Sequence, residues 1–138
     1  MRVIGVGIDL VDLERVDRLI RRKGDRALRR LLTPGELAYV RSRPDPVPHV
    51  AARLAAKEAV YKSLQSLEGS RGVGWREIEV SHEPAGRPAV CLHGLAERLV
   101  GRLPSPEILL SLTHSAKAAG AVAILTAAEP VSGGWPPA

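Results

Sequence analysis

Arg53, Lys57, Glu58 and Lys62 crowd into residues 53–62. Three cations around one carboxylate suit phosphate chemistry: the cations hold phosphate oxygens, and the carboxylate holds a hard metal ion or takes a proton. The plainer reading is a salt-bridged helix face, because Glu58 and Lys62 stand at i, i+4 in the favourable order. Asp9 is the natural second carboxylate. It follows Gly7-Ile8 at the end of an apolar run, where a charge needs a reason. Two carboxylates from separate elements, with phosphate completing the shell, make an acceptable Mg²⁺ site. Asp9 or Asp12 could equally cap the helix that follows. His114 closes another apolar run in Ser111-Leu112-Thr113-His114-Ser115 and could donate to a phosphate, or be a simple surface histidine. His49, His82 and His93 show no metal-ligand spacing, so the sequence supports neither zinc nor a cysteine nucleophile. The glycines of 69–74 precede no Gly-Lys-Ser/Thr and read as a flexible loop rather than a phosphate-binding one.

These groups need elements to hold them. Residues 3–10 fit a buried strand, and Gly5 and Gly7 within it signal a close approach of backbone or ligand. Residues 12–23 have a helical rhythm that breaks at Gly24 and resumes in a shorter piece. Thr33-Pro34-Gly35-Glu36 reads as a helix start, with Thr as N-cap and Glu at N3. Residues 43–48, with Pro44, Pro46 and Pro48, read as a stiff connector. Residues 50–64 are free of Gly and Pro and read as helix. On that helix Ala52, Ala55, Ala56, Ala59, Val60 and Ser63 share a small apolar half suited to a sheet. Val50, Leu54, Tyr61 and Leu64 are interleaved with the charges on the other half, so that half should be covered too. Residues 77–82 and 88–92 read as a hairpin, 94–103 as a helix, and 108–112 and 118–125 as strands. The expected fold is α+β, a mainly antiparallel sheet packed on a long central helix. One domain over 1–128 and a disordered tail over 129–138 complete the expectation.

Composition narrows the partners. The 138 residues carry 20 basic and 15 acidic side chains, a net charge of +5, so acidic partners are favoured. Two Trp, two Tyr and no Phe make an aromatic base-stacking platform improbable. No apolar run is long enough to span a membrane. A single cysteine cannot form an internal disulfide, which points to the cytosol. The cations cluster in 15–30, where Arg15, Arg18 and Arg22 share one helical face. Such a face is a solvated surface or a dock for an acidic macromolecule, protein or nucleic acid.

Taken in order, these segments resemble the holo-acyl-carrier-protein synthases, the small trimeric 4′-phosphopantetheinyl transferases. The likeness rests on Gly5-Val6-Gly7-Ile8-Asp9, on Arg53-Leu54-Ala55-Ala56-Lys57-Glu58-Ala59-Val60-Tyr61-Lys62, and on Ser111-Leu112-Thr113-His114-Ser115. Leu32-Thr33-Pro34-Gly35-Glu36-Leu37 and Gly86-Arg87-Pro88 match in the expected order. The resemblance implies a cytoplasmic enzyme of fatty-acid biosynthesis that moves 4′-phosphopantetheine from coenzyme A to a serine of an acidic apo acyl carrier protein, releasing adenosine 3′,5′-bisphosphate. It implies Mg²⁺ on Asp9 and Glu58, and Glu58, Lys62 and Asp9 as the catalytic group. Arg53, Lys57, Lys62 and His114 would contact the phosphates of coenzyme A, with Gly86 and Pro88 shaping the adenine-side wall. Arg15, Arg18, Arg22 and Arg26 would dock the carrier, and a homotrimer with sites between subunits would cover the face bearing Leu54 and Tyr61. Leu54 stands where the family usually has Phe, and the glycine usual soon after Lys62 is delayed to Gly69. The alternatives are a basic nucleic-acid-binding module and a non-catalytic binder of coenzyme A and carrier protein.

Overall fold

The computed structural model describes residues 1–129. The expected tail thus lies outside the described residues, apart from Glu129. The chain runs β1 (Arg2–Asp12), α1 (Leu13–Leu31), α2 (Pro34–Arg41), α3 (Pro46–Ser63), β2 (Ile78–His82), β3 (Pro88–Leu92), α4 (Gly94–Gly101), β4 (Glu107–His114) and β5 (Ala118–Ala127). Short 3₁₀ turns at Ser70–Gly72 and Trp75–Glu77 link α3 to β2. The strands form two antiparallel sheets, β1-β5-β4 and the hairpin β2-β3, and α3 crosses both. The expected α+β architecture with a long central helix is the one observed. No helix among the described residues is long and apolar enough to cross a membrane.

Alanine lets α3 lie close to the sheet. Ala55, Ala56 and Ala59 are fully buried and pack with Ala121 and Ala123 of β5. On β1 the approach is closer still. A Cβ on Gly5 would strike the Ser63 carbonyl, and one on Gly7 the Ala59 carbonyl. The strand glycines therefore mark backbone pressed on backbone.

Helix α1 breaks at Gly24, whose φ of 56° and ψ of −145° no helix contains. Thr33 caps α2 as expected: its hydroxyl accepts from the Glu36 amide, and the Glu36 carboxylate accepts from the Thr33 amide. The proline-rich connector is a correction. Pro46 and Pro48 lie in the first turn of α3, where a missing N–H leaves no helical bond unmade, and the Asp45 carboxylate caps that turn at the Val47 amide.

The covering of α3 is a second correction. Val50, Leu54 and Leu64 are buried within this one chain, Val50 and Leu54 against Val16, Leu28 and Leu37. No neighbouring subunit is needed to cover Leu54. An apolar surface is left on the opposite face of the three-stranded sheet instead, where Val6, Ile8 and Leu10 are 58%, 66% and 71% exposed. Leu109 of β4 lies in the same row as Val6, through Ile124 of β5.

Candidate active site

Asp9 sits on the α3-facing side of β1, two residues beyond Gly7 and so beside the helix. Lys62, in the last turn of α3, reaches back across this contact. Its ammonium donates to the Ile8 carbonyl at 3.0 Å and lies 3.4 Å from Asp9 Oδ1. Glu58 is one turn earlier on the same flank of α3. Asp9 and Glu58 line one open cleft of about 670 Å³, walled by Arg15, Arg18, Leu19, Arg22 and Lys23 of α1 and by Trp75. The two acids expected to meet therefore share a single concavity, with Lys62 held at Asp9 and the basic helix forming one wall. Carboxylate oxygens are the donors a hard divalent ion prefers, and two suffice when a substrate's phosphates complete the shell. The residues present fit Mg²⁺.

Lys57 borders a smaller cleft with Glu58, Tyr61 and Trp75, but its ammonium turns into the protein. Its side chain is 0% exposed. The ammonium donates to Glu36 Oε1 at 2.5 Å and to the carbonyls of Trp75 and Ile78 at 2.9 and 2.8 Å. All three donors are used, so none is left for a ligand. Burial pushes the lysine below its ordinary value, against the pull of the Glu36 carboxylate. Glu36 in turn accepts from the Val80 amide at 2.8 Å, tying α2, α3 and β2 together. Sequence reading saw Glu36 only as a capping residue.

Arg53 points to the other flank of α3. Its guanidinium lies 4.1 Å from the centroid of the Tyr39 ring, and Nη1 donates to the His49 carbonyl at 3.3 Å. Burial lowers its affinity for the proton, partly offset by Tyr39 and Glu36. Its Nε is buried without a partner among the described residues. Tyr39 also stacks on His82 at 5.7 Å, and His82 pairs with Pro88 across the hairpin, whose turn contains Gly86 at φ 88°. Burial and the nearby arginines hold His49 and His82 below the usual histidine range, so both are neutral at pH 7. Arg53 is thus linked through Tyr39 to His82, at the end of the hairpin that carries Pro88 and Gly86, on a different flank of α3 from Glu58 and Lys62.

His114 joins neither group. It is exposed at the end of β4, the third strand of its sheet, while Asp9 lies on the first. Asp9 is level with Leu112, through Ala121, which puts the His114 Cα about 12 Å from that of Asp9 by strand spacing and rise. On α1, Arg15, Arg18 and Arg22 line the cleft, whereas Arg26 lies past the Gly24 break among Leu19, Lys23, Ala27 and Arg30. Trp75 was missed from sequence. It is 40% exposed beside Glu58, and its rarity in this aromatic-poor chain was the available signal.

Comparison with known proteins identifies the family. A family model described as the 4′-phosphopantetheinyl transferase superfamily matches residues 5–105. A holo-[acyl-carrier-protein] synthase of Solibacter usitatus is 41% identical over 114 residues, covering 83% of this chain and 90% of the relative. One from Moorella thermoacetica is 42% identical over 123 residues, covering 89% and 94%. Among solved structures, a holo-(acyl-carrier-protein) synthase from Bacillus anthracis in complex with CoA (3′,5′-ADP) superposes with a TM-score of 0.74 at 26% identity, covering 93% of this chain and all of that one. The chain belongs to the 4′-phosphopantetheinyl transferase superfamily, in the family of holo-[acyl-carrier-protein] synthases.

Proposed function

We propose that this chain transfers 4′-phosphopantetheine from coenzyme A to a serine hydroxyl of an apo acyl carrier protein, in a Mg²⁺-dependent reaction. The observation that carries the proposal is that Asp9 and Glu58 line one cleft walled by arginines, with the Lys62 ammonium beside Asp9. The serine oxygen forms a bond to the β-phosphorus, on the pantetheine side of the pyrophosphate. The bond from that phosphorus to the bridging oxygen breaks, and adenosine 3′,5′-bisphosphate leaves. The Bacillus anthracis relative's complex with CoA (3′,5′-ADP) supports both the donor and the leaving group.

Asp9 and Glu58 would hold the ion, which when bound neutralises and orients the pyrophosphate oxygens. Glu58 stands ready to take the serine proton, and Lys62 to neutralise charge on the transferring group. Phosphoryl transfer is governed by positioning and charge, so these groups suffice. Arg15, Arg18 and Arg22 would receive the acidic carrier at the mouth of the cleft, acting on its approach rather than on the chemistry. Arg53, with an unpartnered Nε, would meet a phosphate of coenzyme A beside Gly86 and Pro88.

A homotrimer with sites between subunits belongs to the same reading. The exposed apolar row of Val6, Ile8, Leu10 and Leu109 supports an assembly through the three-stranded sheet. Assembly would also bring the Arg53 flank and His114 of one protomer towards the acid pair of another. We place the enzyme in the cytosol, where a lone thiol such as Cys91 stays reduced.

Intact-mass spectrometry tests the proposal. An apo carrier incubated with coenzyme A, Mg²⁺ and the protein should gain the mass of one phosphopantetheine. Transfer should fall by about 10²–10⁴ in Glu58→Gln, the range spanned by a positioned acid–base group. A folded wild-type sample that leaves a panel of apo carriers unchanged would overturn it.

A further inference from the structure

The outer face of the β2-β3 hairpin carries a donor set of different chemistry from the acid pair. Glu79 on β2 is the register partner of Cys91 on β3. His93 follows two residues after Cys91, and its amide donates to the Glu77 carbonyl at 2.8 Å, extending the ladder. Alternation therefore places all three side chains on one face, with Ile78, Val80, Val90 and Leu92 turned inward. A ligand atom from each of Glu79, Cys91 and His93 lies within 4.8 Å of the other two. The trio stands at the open end of the hairpin, away from the turn at Gly86.

We propose that Glu79, Cys91 and His93 bind a divalent transition ion of borderline softness, with Zn²⁺ as the representative ion and a water completing a tetrahedral shell. A thiolate and an imidazole are ligands that zinc takes and Mg²⁺ does not, and zinc accepts a carboxylate beside them. The carboxylate is already oriented, because Glu79 Oε2 accepts from the Thr33 hydroxyl at 2.6 Å. Thr33 is buried, so that bond is shielded, as in the outer shells that fix metal ligands. Glycine at position 35 leaves the space that Oε2 occupies: a Cβ there would come to 3.0 Å from it.

His93 Nε2 lies 2.9 Å from Glu79 Oε1. Two ligands about 2.0 Å from a tetrahedral zinc are roughly 3.3 Å apart, so replacing the shared proton by the ion opens this pair by only a few tenths of an ångström. Cys91 and His93 are exposed, giving the ion a path from solvent. Occupancy would fasten the open end of the hairpin to the start of α2 through Thr33. It makes no use of Asp9 or Glu58.

Cobalt titration of the metal-free full chain tests this. Cys91 is the only cysteine, so a thiolate-to-cobalt charge-transfer band in the near ultraviolet can come from nowhere else. The expected result is that band together with tetrahedral d–d absorption, saturating at one Co²⁺ per chain. Zn²⁺ should displace the Co²⁺, and a thousandfold excess of Mg²⁺ should not. Cys91→Ser should abolish the band. His93→Ala and Glu79→Gln should each weaken binding at least tenfold, and Asp9→Asn should leave the spectrum unchanged. The melting temperature should rise by about 9 °C at free Zn²⁺ one hundred times its Kd. Absence of the band at saturation, or a band indifferent to His93→Ala and Glu79→Gln, would overturn the proposal.

Discussion

Replacing Lys57 by methionine separates two roles that the sequence could not. If the lysine were a phosphate ligand, Lys57→Met would raise the KM for coenzyme A and leave the fold as stable as before. The structure gives the ammonium three partners within the protein and no exposure, so the loss should fall on stability. Methionine fills a similar volume but abandons Glu36, whose carboxylate stays buried with only the Thr33 and Val80 amides. Removing one partner of a buried ion pair costs about 3–5 kcal/mol. At roughly 2.1 cal/mol/K per residue the entropy of unfolding for this chain is about 0.29 kcal/mol/K, so the midpoint should drop by about 10–17 °C. In urea, with a slope of about 2 kcal/mol/M, the same loss moves the midpoint by about 1.5–2.5 M. Calorimetry and urea unfolding give the stability, and initial rates well below the new midpoint give the KM. A variant that melts within about 3 °C of the wild type, with its KM raised tenfold, would refute the reasoning and restore Lys57 to the ligand site. Glu36→Gln closes a double-mutant cycle, and the pair should couple by about 1–3 kcal/mol.

Further expectations rest on other contacts. Reversing Arg15, Arg18 and Arg22 to Glu should raise the KM for an acidic carrier more than tenfold with little change in kcat, and the wild-type rate with that carrier should fall as salt is added. Gly7→Ala should destabilise the protein by about 1–3 kcal/mol or prevent folding, because its Cβ meets backbone that cannot step aside; thermal unfolding measures this. Glu77→Ala should destabilise by about 1–2 kcal/mol near neutral pH, since that carboxylate accepts from the Leu95 and Ala96 amides where α4 has no cap of its own. Although burial opposes them, the amides of Gly74, Ala96 and Leu95 hold Glu77 below its ordinary 4.5. Its contribution is complete above that pH and is lost as pH falls through the lower folded value, so urea midpoints of the wild type and the variant should converge on acidification.

Local signals carried most of the fold into view. The Gly24 break, the Thr33 cap and the hairpin around Gly86 depend on neighbours within a few residues, and each was legible. Pro46 and Pro48 misled because a first helical turn tolerates the residues that usually stop a helix. The acid pair was legible through its residue types and the glycines that seat β1 on α3. Lys57 was not, because its partner Glu36 had a sufficient local explanation as a cap, and its second carboxylate contact comes from the packing of α2 on α3. His93 showed no metal-ligand spacing in the sequence, because Glu79 joins it and Cys91 only once the hairpin register is known. The exposed histidine of β4 read from sequence as a phosphate contact or a surface histidine, and within one chain strand β5 lies between it and Asp9.

The two glycines that seat β1 on α3 have a consequence for tolerance to change. Asp9 and Glu58 ride on main chains that touch directly, with no side chain acting as a shim between them. The gauge of the acid pair is therefore fixed by peptide geometry. Exchanges in the surrounding hydrocarbon, such as leucine standing at position 54, can raise or lower the melting point without retuning the distance across which the proposed transfer would work.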